Sequence, residues 1–454
     1  MAILGTLINL AIWIPWIFHG FRSLFFKLGR NKFFLLTAFL MPFYSASFGI
    51  FGFQFSIYKI FPLFLFFTIL ISRAKINIFL LIFVFYMIFI TLISYIISYF
   101  NGGFDFAIEY GRSEIGAYYG PIIQGSLFIL TFFILVTLPK NIKIDHIKII
   151  SFFIYGCILL VTIGYIQMFF YYSGIQWFDF WFLNDALGRG IEGGLNVHAL
   201  DRGFYRMSSL GGEPRHFSAI LVLSILLQKY LLLKKIHVRF ISDKYRKMFF
   251  IFILSGILMS FSASSALALF VALIIFYSLS NYKILIFFAV SIFGIIFFFN
   301  NTLVLSTFLW KLSSLEMIIY AAKKDGFALQ AIFHNWYYFI FGYGLNLADL
   351  VVPDYYLLQK TPFGLVDRYL DEDPMSGAIS PTSAILQIML SGGLVGSILA
   401  ALFITNFARH ASKASKVLLV SYIGCLCVSS FLIFGMGLFL ISIILNMEKV
   451  ERVP

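Results

Sequence analysis

Long apolar runs, each close to the length that crosses a bilayer, constrain this chain more than any motif in it. Residues 77–99 and 149–171 are the clearest, since neither contains an Asp, Glu, Lys or Arg. Inside lipid no water is available to satisfy the backbone, so a spanning segment must be a helix or part of a closed barrel. A barrel strand needs only about 10 residues, whereas a spanning helix needs about 20. The runs therefore predict membrane helices. Composition agrees: 61% of residues are hydrophobic and 12% charged, too apolar for a chain that must hide its side chains from water.

The predicted spans are 33–50, 55–71, 77–99, 119–138, 149–171, 218–233, 284–300 and 382–405. Residues 248–280 form a hairpin if Ser260-Phe-Ser-Ala-Ser-Ser265 is a turn, and 417–446 reads as two short helices broken near Gly435-Met-Gly437. The expected fold class is all-α, a polytopic bundle of about 12 transmembrane helices within a range of 11–14. Residues 1–454 then form a single integral membrane domain. The run from Met1 to Phe18 lacks a basic leader and carries Pro15, so it is expected to span or to lie along the interface rather than act as a cleaved signal.

Charge sorts the loops into two sides. Loops 19–32, 72–76, 139–148, 229–247, 281–283 and 406–416 hold 20 basic residues against Asp145 and Asp243 alone. Short cytoplasmic loops retain Lys and Arg, so this side is expected to face the cytoplasm. The intervening loops, 100–118, 172–217 and 301–381, hold 10 basic and 16 acidic residues and are expected outside. The net charge of +13 is thus read as a topology signal and not as a nucleic-acid footprint.

Cys157, Cys425 and Cys427 all fall in predicted helices, with neither a disulfide framework nor zinc spacing. No glycine-rich nucleotide loop and no paired-histidine helix motif occurs in the sequence. No cofactor and no metal site is expected, and the energy for any reaction must come from the substrate or a gradient.

Two of the outer loops, 172–217 and 301–381, are longer than a connection requires, and loops of such length usually carry function. The first is rich in aromatics, including Trp177, Phe178, Phe180, Trp181 and Phe182. Such rings stack on sugar faces or anchor a protein at the membrane interface. In the second, Leu305, Phe308, Leu309, Leu312, Leu315 and Ile319 recur at helical spacing and predict an amphipathic helix lying on the bundle. Asp367, Asp371, Glu372 and Asp373 cluster near its end, as a cation-binding group or, more simply, a solvated acidic tip.

Chemistry concentrates in Arg202-Gly-Phe-Tyr-Arg206-Met-Ser-Ser-Leu-Gly-Gly-Glu213-Pro-Arg215-His216, which ends against a hydrophobic helix. Arginine offers phosphate oxygens a planar fork of donors. The glycines allow a sharp turn, the following helix start can aim free amides at an anion, and Glu213 can act as a base. The alternative is that Arg202, Arg206 and Arg215 pair with Asp185, Asp201 and Glu213 to fix the loop, although three arginines exceed what that job needs.

From Arg206 to Ala219 the chain resembles the Arg, Gly, Glu-Pro and Ala pattern of Wzy-type O-antigen polymerases and the related O-antigen ligases. Phe261-Ser-Ala-Ser-Ser-Ala-Leu-Ala-Leu resembles their serine-rich helix start, Phe341-Gly-Tyr-Gly-Leu345 their glycine motif, and Gln387-Ile-Met-Leu-Ser-Gly-Gly-Leu-Val-Gly396 the helix that follows. The resemblance covers roughly residues 150–405.

It implies glycosyl transfer at the periplasmic face of a bacterial inner membrane, from an undecaprenyl-pyrophosphate-linked oligosaccharide to an incoming lipid-linked repeat unit. Membrane lipids and a polysaccharide chain-length regulator are the implied partners. Arg206 and Arg215, helped by Arg202, would bind the donor pyrophosphate, and Glu213 or His216 would orient or deprotonate the acceptor hydroxyl. Trp177, Trp181 and Tyr343 are the candidate sugar contacts. Two departures stand out. Ligases carry a His near the end of the second long loop, where this chain has Ser380-Pro-Thr382, and an Arg often found on the amphipathic segment is missing, its nearest basic stand-ins being Lys323 and Lys324, which lack the bidentate fork. The remaining alternatives are a ligase acting on lipid A-core and a non-enzymatic flippase or transporter. Against a transporter, charge inside the predicted spans is confined to Lys59 and Lys229, each close to a span end.

Overall fold

A computed structural model of the chain describes residues 13–23, 30–43, 47–50, 53–56, 61, 77–109, 114–123, 125–126, 145–173, 200–201, 204–207, 209, 214–236, 243–280, 328–329, 331–333, 335–345, 347–351, 383–409, 411–427 and 436–450. In chain order its elements are α1 (Arg30–Leu40), β1 (Ser47–Ile50), β2 (Phe53–Ser56), α2 (Ile78–Phe100), α3 (Gly103–Glu109), α4 (Glu114–Tyr118) and α5 (His146–Tyr172). There follow β3 (Leu200–Asp201), β4 (Phe204–Tyr205), α6 (Pro214–Leu233), α7 (Asp243–Met259), α8 (Ala263–Ser280), α9 (Trp336–Phe341) and α10 (Ala348–Val351). The last are α11 (Ala384–Ala408), α12 (Lys413–Leu426) and α13 (Met436–Val450). The regular elements among the described residues are helices apart from two short antiparallel hairpins, β1–β2 and β3–β4.

Several sequence expectations match closely. The spans expected over 77–99, 149–171, 218–233 and 382–405 correspond to α2, α5, α6 and α11, all long and apolar enough to cross a membrane. Ser260–Ser262 does turn the chain between α7 and α8, and 417–446 does divide into two helices, α12 and α13. The helix expected over 33–50 does not run that far: α1 stops at Leu40, and Ser47–Ile50 pairs with Phe53–Ser56 as a hairpin. Pro42 explains the stop, because it lacks an N–H and crowds the preceding turn. The alternation of Phe48, Ile50, Phe53 and Phe55 with small or polar neighbours then suits strands. The spans expected over 55–71 and 284–300 lie largely or wholly outside the described residues, as do Lys59 and the acidic group at Asp367–Asp373.

The chain divides into two compact units, one of residues 1–74, 134–313 and 410–454, the other of 75–133 and 314–409. In the first, α6 is the central helix, buried from Phe217 to Gln228 and packed against α5, α7, α8 and α12. Lys229 lies in α6, within the span expected over 218–233 and not in the loop counted from 229. Its ammonium donates to the Tyr277 hydroxyl at 2.6 Å and sits 4.6 Å from the Phe250 ring centre, so an aromatic pair shelters the charge near the helix end. Gly156 lets the Phe39 carbonyl of α1 approach α5 where any Cβ would collide with it.

In the second unit α2 and α11 run antiparallel, with Met87 beside Gly392 and Tyr86 beside Gly396. At the C-terminal end of α2, Asn101 and Gly102 (φ 68°) turn the chain into α3. Phe104 packs there against Tyr95 and Tyr118 at ring separations of 4.8 and 4.9 Å. Inside α11, Gly393 has non-helical torsions (φ 61°, ψ −161°) that kink the helix.

Candidate functional site

The described part of the arginine segment lies along one face of α5. Leu160, Gly164, Gln167 and Tyr171 share that face by helical spacing. Tyr205 packs on Tyr171 with ring centres 4.8 Å apart and planes tilted by 37°, and donates its backbone N–H to the Tyr172 hydroxyl at 3.0 Å. Met207, fully buried, presses on Gly164, where a Cβ would stand 2.6 Å from its Cγ. Ser209 donates its N–H to Gln167 Oε1 at 3.2 Å and its hydroxyl to the Leu160 carbonyl at 2.7 Å. Ser209 adopts φ 50°, a left-handed torsion costly for a residue with a Cβ and held here by those two bonds. Leu160 is 12 residues before the end of α5, so at about 1.5 Å per residue the segment reaches roughly 18 Å down the helix.

The same segment joins the end of α7. Met207 N–H donates to the Met259 carbonyl at 2.9 Å, and Arg206 Nε donates to the Ser260 carbonyl at 3.2 Å. Burying Tyr205 and Met207 leaves Arg206 half-exposed between them, as strand-like alternation requires. Beyond Ser260 the turn passes through Phe261, buried at φ 48°, before α8 begins. Its polar groups close on one another. Ser260 donates to the Ile257 carbonyl at 2.6 Å, and Ser218 of α6 meets Ser265 of α8 hydroxyl to hydroxyl at 2.6 Å. Ser262 and Ser265 are 3.2 Å apart.

Arg206 and the start of α6, which carries Arg215 and the half-buried His216, are therefore both tied to one serine-rich turn. Pro214 opens α6, where its missing N–H costs nothing and its fixed φ suits a first helical turn. Arg202, Glu213, Trp177 and Trp181 lie outside the described residues, as does the side chain of Arg215. The sequence reading passed over Gln167, Tyr172 and Ser218. Gln167 had a visible signal, an amide within an otherwise apolar span. It is 2% exposed, and its Nε2 has no hydrogen-bond partner among the described residues.

Tyr343 sits elsewhere, in the second unit. It is 1% exposed, donates its hydroxyl to the Ala331 carbonyl at 2.6 Å, and stacks on Tyr338 at 4.0 Å and 16°. A ring covered in this way packs the core and has no open face for a sugar, contrary to the sequence expectation. The residues around it form a second junction of motifs. Tyr343 and Gly344 donate backbone N–H groups to the Leu390 and Ser391 carbonyls at 2.9 and 2.8 Å, and Leu345 N–H donates to Thr91 Oγ1 at 3.1 Å. The glycine motif thus docks on the kink of α11.

These features define an α-helical membrane protein, with four apolar helices long enough to span among the described residues and with irregular segments laid against them. No protein-family model, curated protein or solved structure matches the chain.

Proposed function

We propose that the protein is a surface-polysaccharide polymerase, which moves a growing glycan from undecaprenyl pyrophosphate to an incoming lipid-linked repeat unit at the periplasmic face of the inner membrane. The observation carrying this reading is the tie from Arg206 Nε to Ser260, together with that from Ser218 to Ser265. Through these bonds the arginine segment, the α6 start and the serine-rich turn, distant in sequence, meet at one place.

In the reaction an acceptor hydroxyl oxygen forms a bond to the donor's anomeric carbon while the bond from that carbon to the pyrophosphate oxygen breaks. The hydroxyl proton passes to a base, Glu213 or His216, and the lipid pyrophosphate departs with the bonding pair. Arg206 and Arg215, helped by Arg202, hold the pyrophosphate and stabilise the charge it gains. Trp177 and Trp181 offer ring faces to the sugars. Hydrolysable energy resides in the glycosyl–pyrophosphate bond, so no nucleotide is required. Holding both lipid-tethered substrates in one groove supplies a large share of the rate.

The deciding experiment is reconstitution. Purified protein in nanodiscs, given lipid-linked repeat units, should yield a ladder of longer lipid-linked products. Transfer of preformed polymer to lipid A-core without a ladder would make it a ligase, and movement of the lipid without new glycosidic bonds would make it a transporter.

A further inference from the structure

The glycine loop of the second unit is bonded to two long helices far from their ends. α2 ends at Phe100, and at about 1.5 Å per residue Thr91 lies roughly 14 Å and Tyr86 roughly 21 Å inside that end. Thr91 accepts from Leu345, and the Tyr86 hydroxyl donates to the Phe341 and Gly392 carbonyls, at 2.9 Å each. α11 starts at Ala384, which puts Leu390 roughly 9 Å and Gly393 roughly 14 Å inside it. The chain on either side of the loop comes back to the same end. Leu350 of α10 abuts Gly103, just past the end of α2, and Ala328, Ala331 and Ile332 share a buried cluster with Phe104, Ala107 and Ala117.

The sequence fits this path. From Gly326 to Ala348 there is no Asp, Glu, Lys or Arg, whereas Lys323, Lys324 and Asp325 precede the stretch and Asp349 follows it. A non-helical turn at hydrocarbon depth survives only where protein satisfies its backbone. Here Leu390, Ser391, Thr91 and Tyr86 supply the partners. The other face of the segment is apolar and uncovered: Phe333, Trp336, Tyr337 and Phe341 are 63%, 71%, 40% and 44% exposed.

We propose that residues 328–351 form a re-entrant element, which dips from one face of the bilayer to near its mid-depth and turns back at Gly342–Leu345. The partner of its Phe333, Trp336, Tyr337 and Phe341 face is bilayer hydrocarbon, about 30 Å thick. Such an element holds whether or not the glycosyl-transfer reading does, since it rests on packing within the second unit alone.

The test is depth-dependent quenching of tryptophan emission in the full chain reconstituted into phosphatidylcholine vesicles. Two single-tryptophan proteins are compared, one keeping only Trp336 and one with Phe341→Trp as its sole tryptophan. Bromines at mid-chain of the acyl tails should extinguish the Phe341→Trp emission most strongly, with aqueous acrylamide having little effect on either protein. Strong acrylamide quenching with unchanged emission in brominated vesicles would put the segment in water and overturn the proposal. So would stronger quenching of both by bromines near the headgroups, which would leave the element at the surface. If loss of the other tryptophans disturbs folding, Phe341→Cys in a chain with Cys157, Cys425 and Cys427 replaced by alanine serves instead. It should resist a membrane-impermeant maleimide added to either side of the vesicles and react with it once the protein is unfolded in detergent, and modification in the intact vesicles would again overturn the proposal.

Discussion

Gly342 and Gly393 meet backbone to backbone. A Cβ on Gly342 would stand 2.5 Å from the Gly393 nitrogen, and one on Gly393 would stand 2.6 Å from the Gly342 nitrogen. Their torsions, φ 81° with ψ −178° and φ 61° with ψ −161°, lie in a region essentially reserved for glycine. Alanine at either position should therefore cost about 1–3 kcal/mol in backbone strain, with the steric cost added. Thermal unfolding in detergent should show a clear drop for each variant. The double variant should lose less than the sum, because both changes break one contact.

Tyr86 fastens the same junction from α2. Its hydroxyl is shared between the Phe341 and Gly392 carbonyls, both at 2.9 Å. Tyr86→Phe keeps the ring but leaves two carbonyls without that donor, so it should destabilise the protein by about 1–3 kcal/mol. Thermal unfolding of this variant, alone and with Thr91→Val, measures how far the loop depends on α2. An unchanged transition in both would show that the glycine contact suffices.

In the first unit the Ser218–Ser265 bond joins α6 to α8 in a fully buried setting. Ser265→Ala should cost about 1 kcal/mol, because it removes the acceptor of the Ser218 and Ser262 hydroxyls. Replacing both serines by alanine should recover part of that loss. A double-mutant cycle on unfolding free energy reads the coupling directly.

Asp145 caps α5 by accepting the Lys148 backbone N–H at 3.1 Å, and its other oxygen lies 3.1 Å from the Lys148 ammonium. Burial pushes its carboxyl up, but these bonds and the lysine charge outweigh that, so its pKa falls below the ordinary 3.8. The carboxylate therefore contributes its full stability above that value and loses it as pH falls through the lower folded-state pKa. Asp145→Asn, which keeps a capping oxygen, should flatten the stability profile below pH ~4. Asp145→Ala should cost about 1 kcal/mol at neutral pH. Unfolding midpoints across an acid series check both.

The long spans were legible because lipid demands length and apolarity together, and α2, α5 and α11 begin and end within three residues of their predicted limits. The Ser260 turn was legible as a polar break in an apolar run. The end of α1 was hidden by a continuous apolar stretch in which only Pro42 argued for a stop. For the site, the sequence identified the arginine segment, the serine turn and the glycine loop, but not which of them meet. That pairing depends on bonds across wide sequence separations, such as Arg206 to Ser260 and Tyr343 to Leu390. Tyr343 was expected as a sugar contact, yet the tight turn of its flanking glycines against α11 draws it into the core.

Arg206 offers the sharpest separation of anchoring from chemistry. Its Nε already holds the Ser260 carbonyl, so the residue fixes the segment whatever else it does. A bond of that kind contributes about 1.5–3 kcal/mol, and its loss in Arg206→Lys should lower the unfolding midpoint modestly. If the guanidinium also holds the departing pyrophosphate, Lys keeps the charge and loses the fork, and polymerisation should fall by a further factor of roughly 100, the scale of one lost transition-state donor. Arg206→Gln supplies the control, since it retains a donor without charge and should be at least as inactive. Ladder formation measured at a temperature where all variants are folded separates the two roles. Near-normal ladders from Arg206→Lys would leave Arg206 as an anchor only and move the pyrophosphate contact to Arg202 and Arg215.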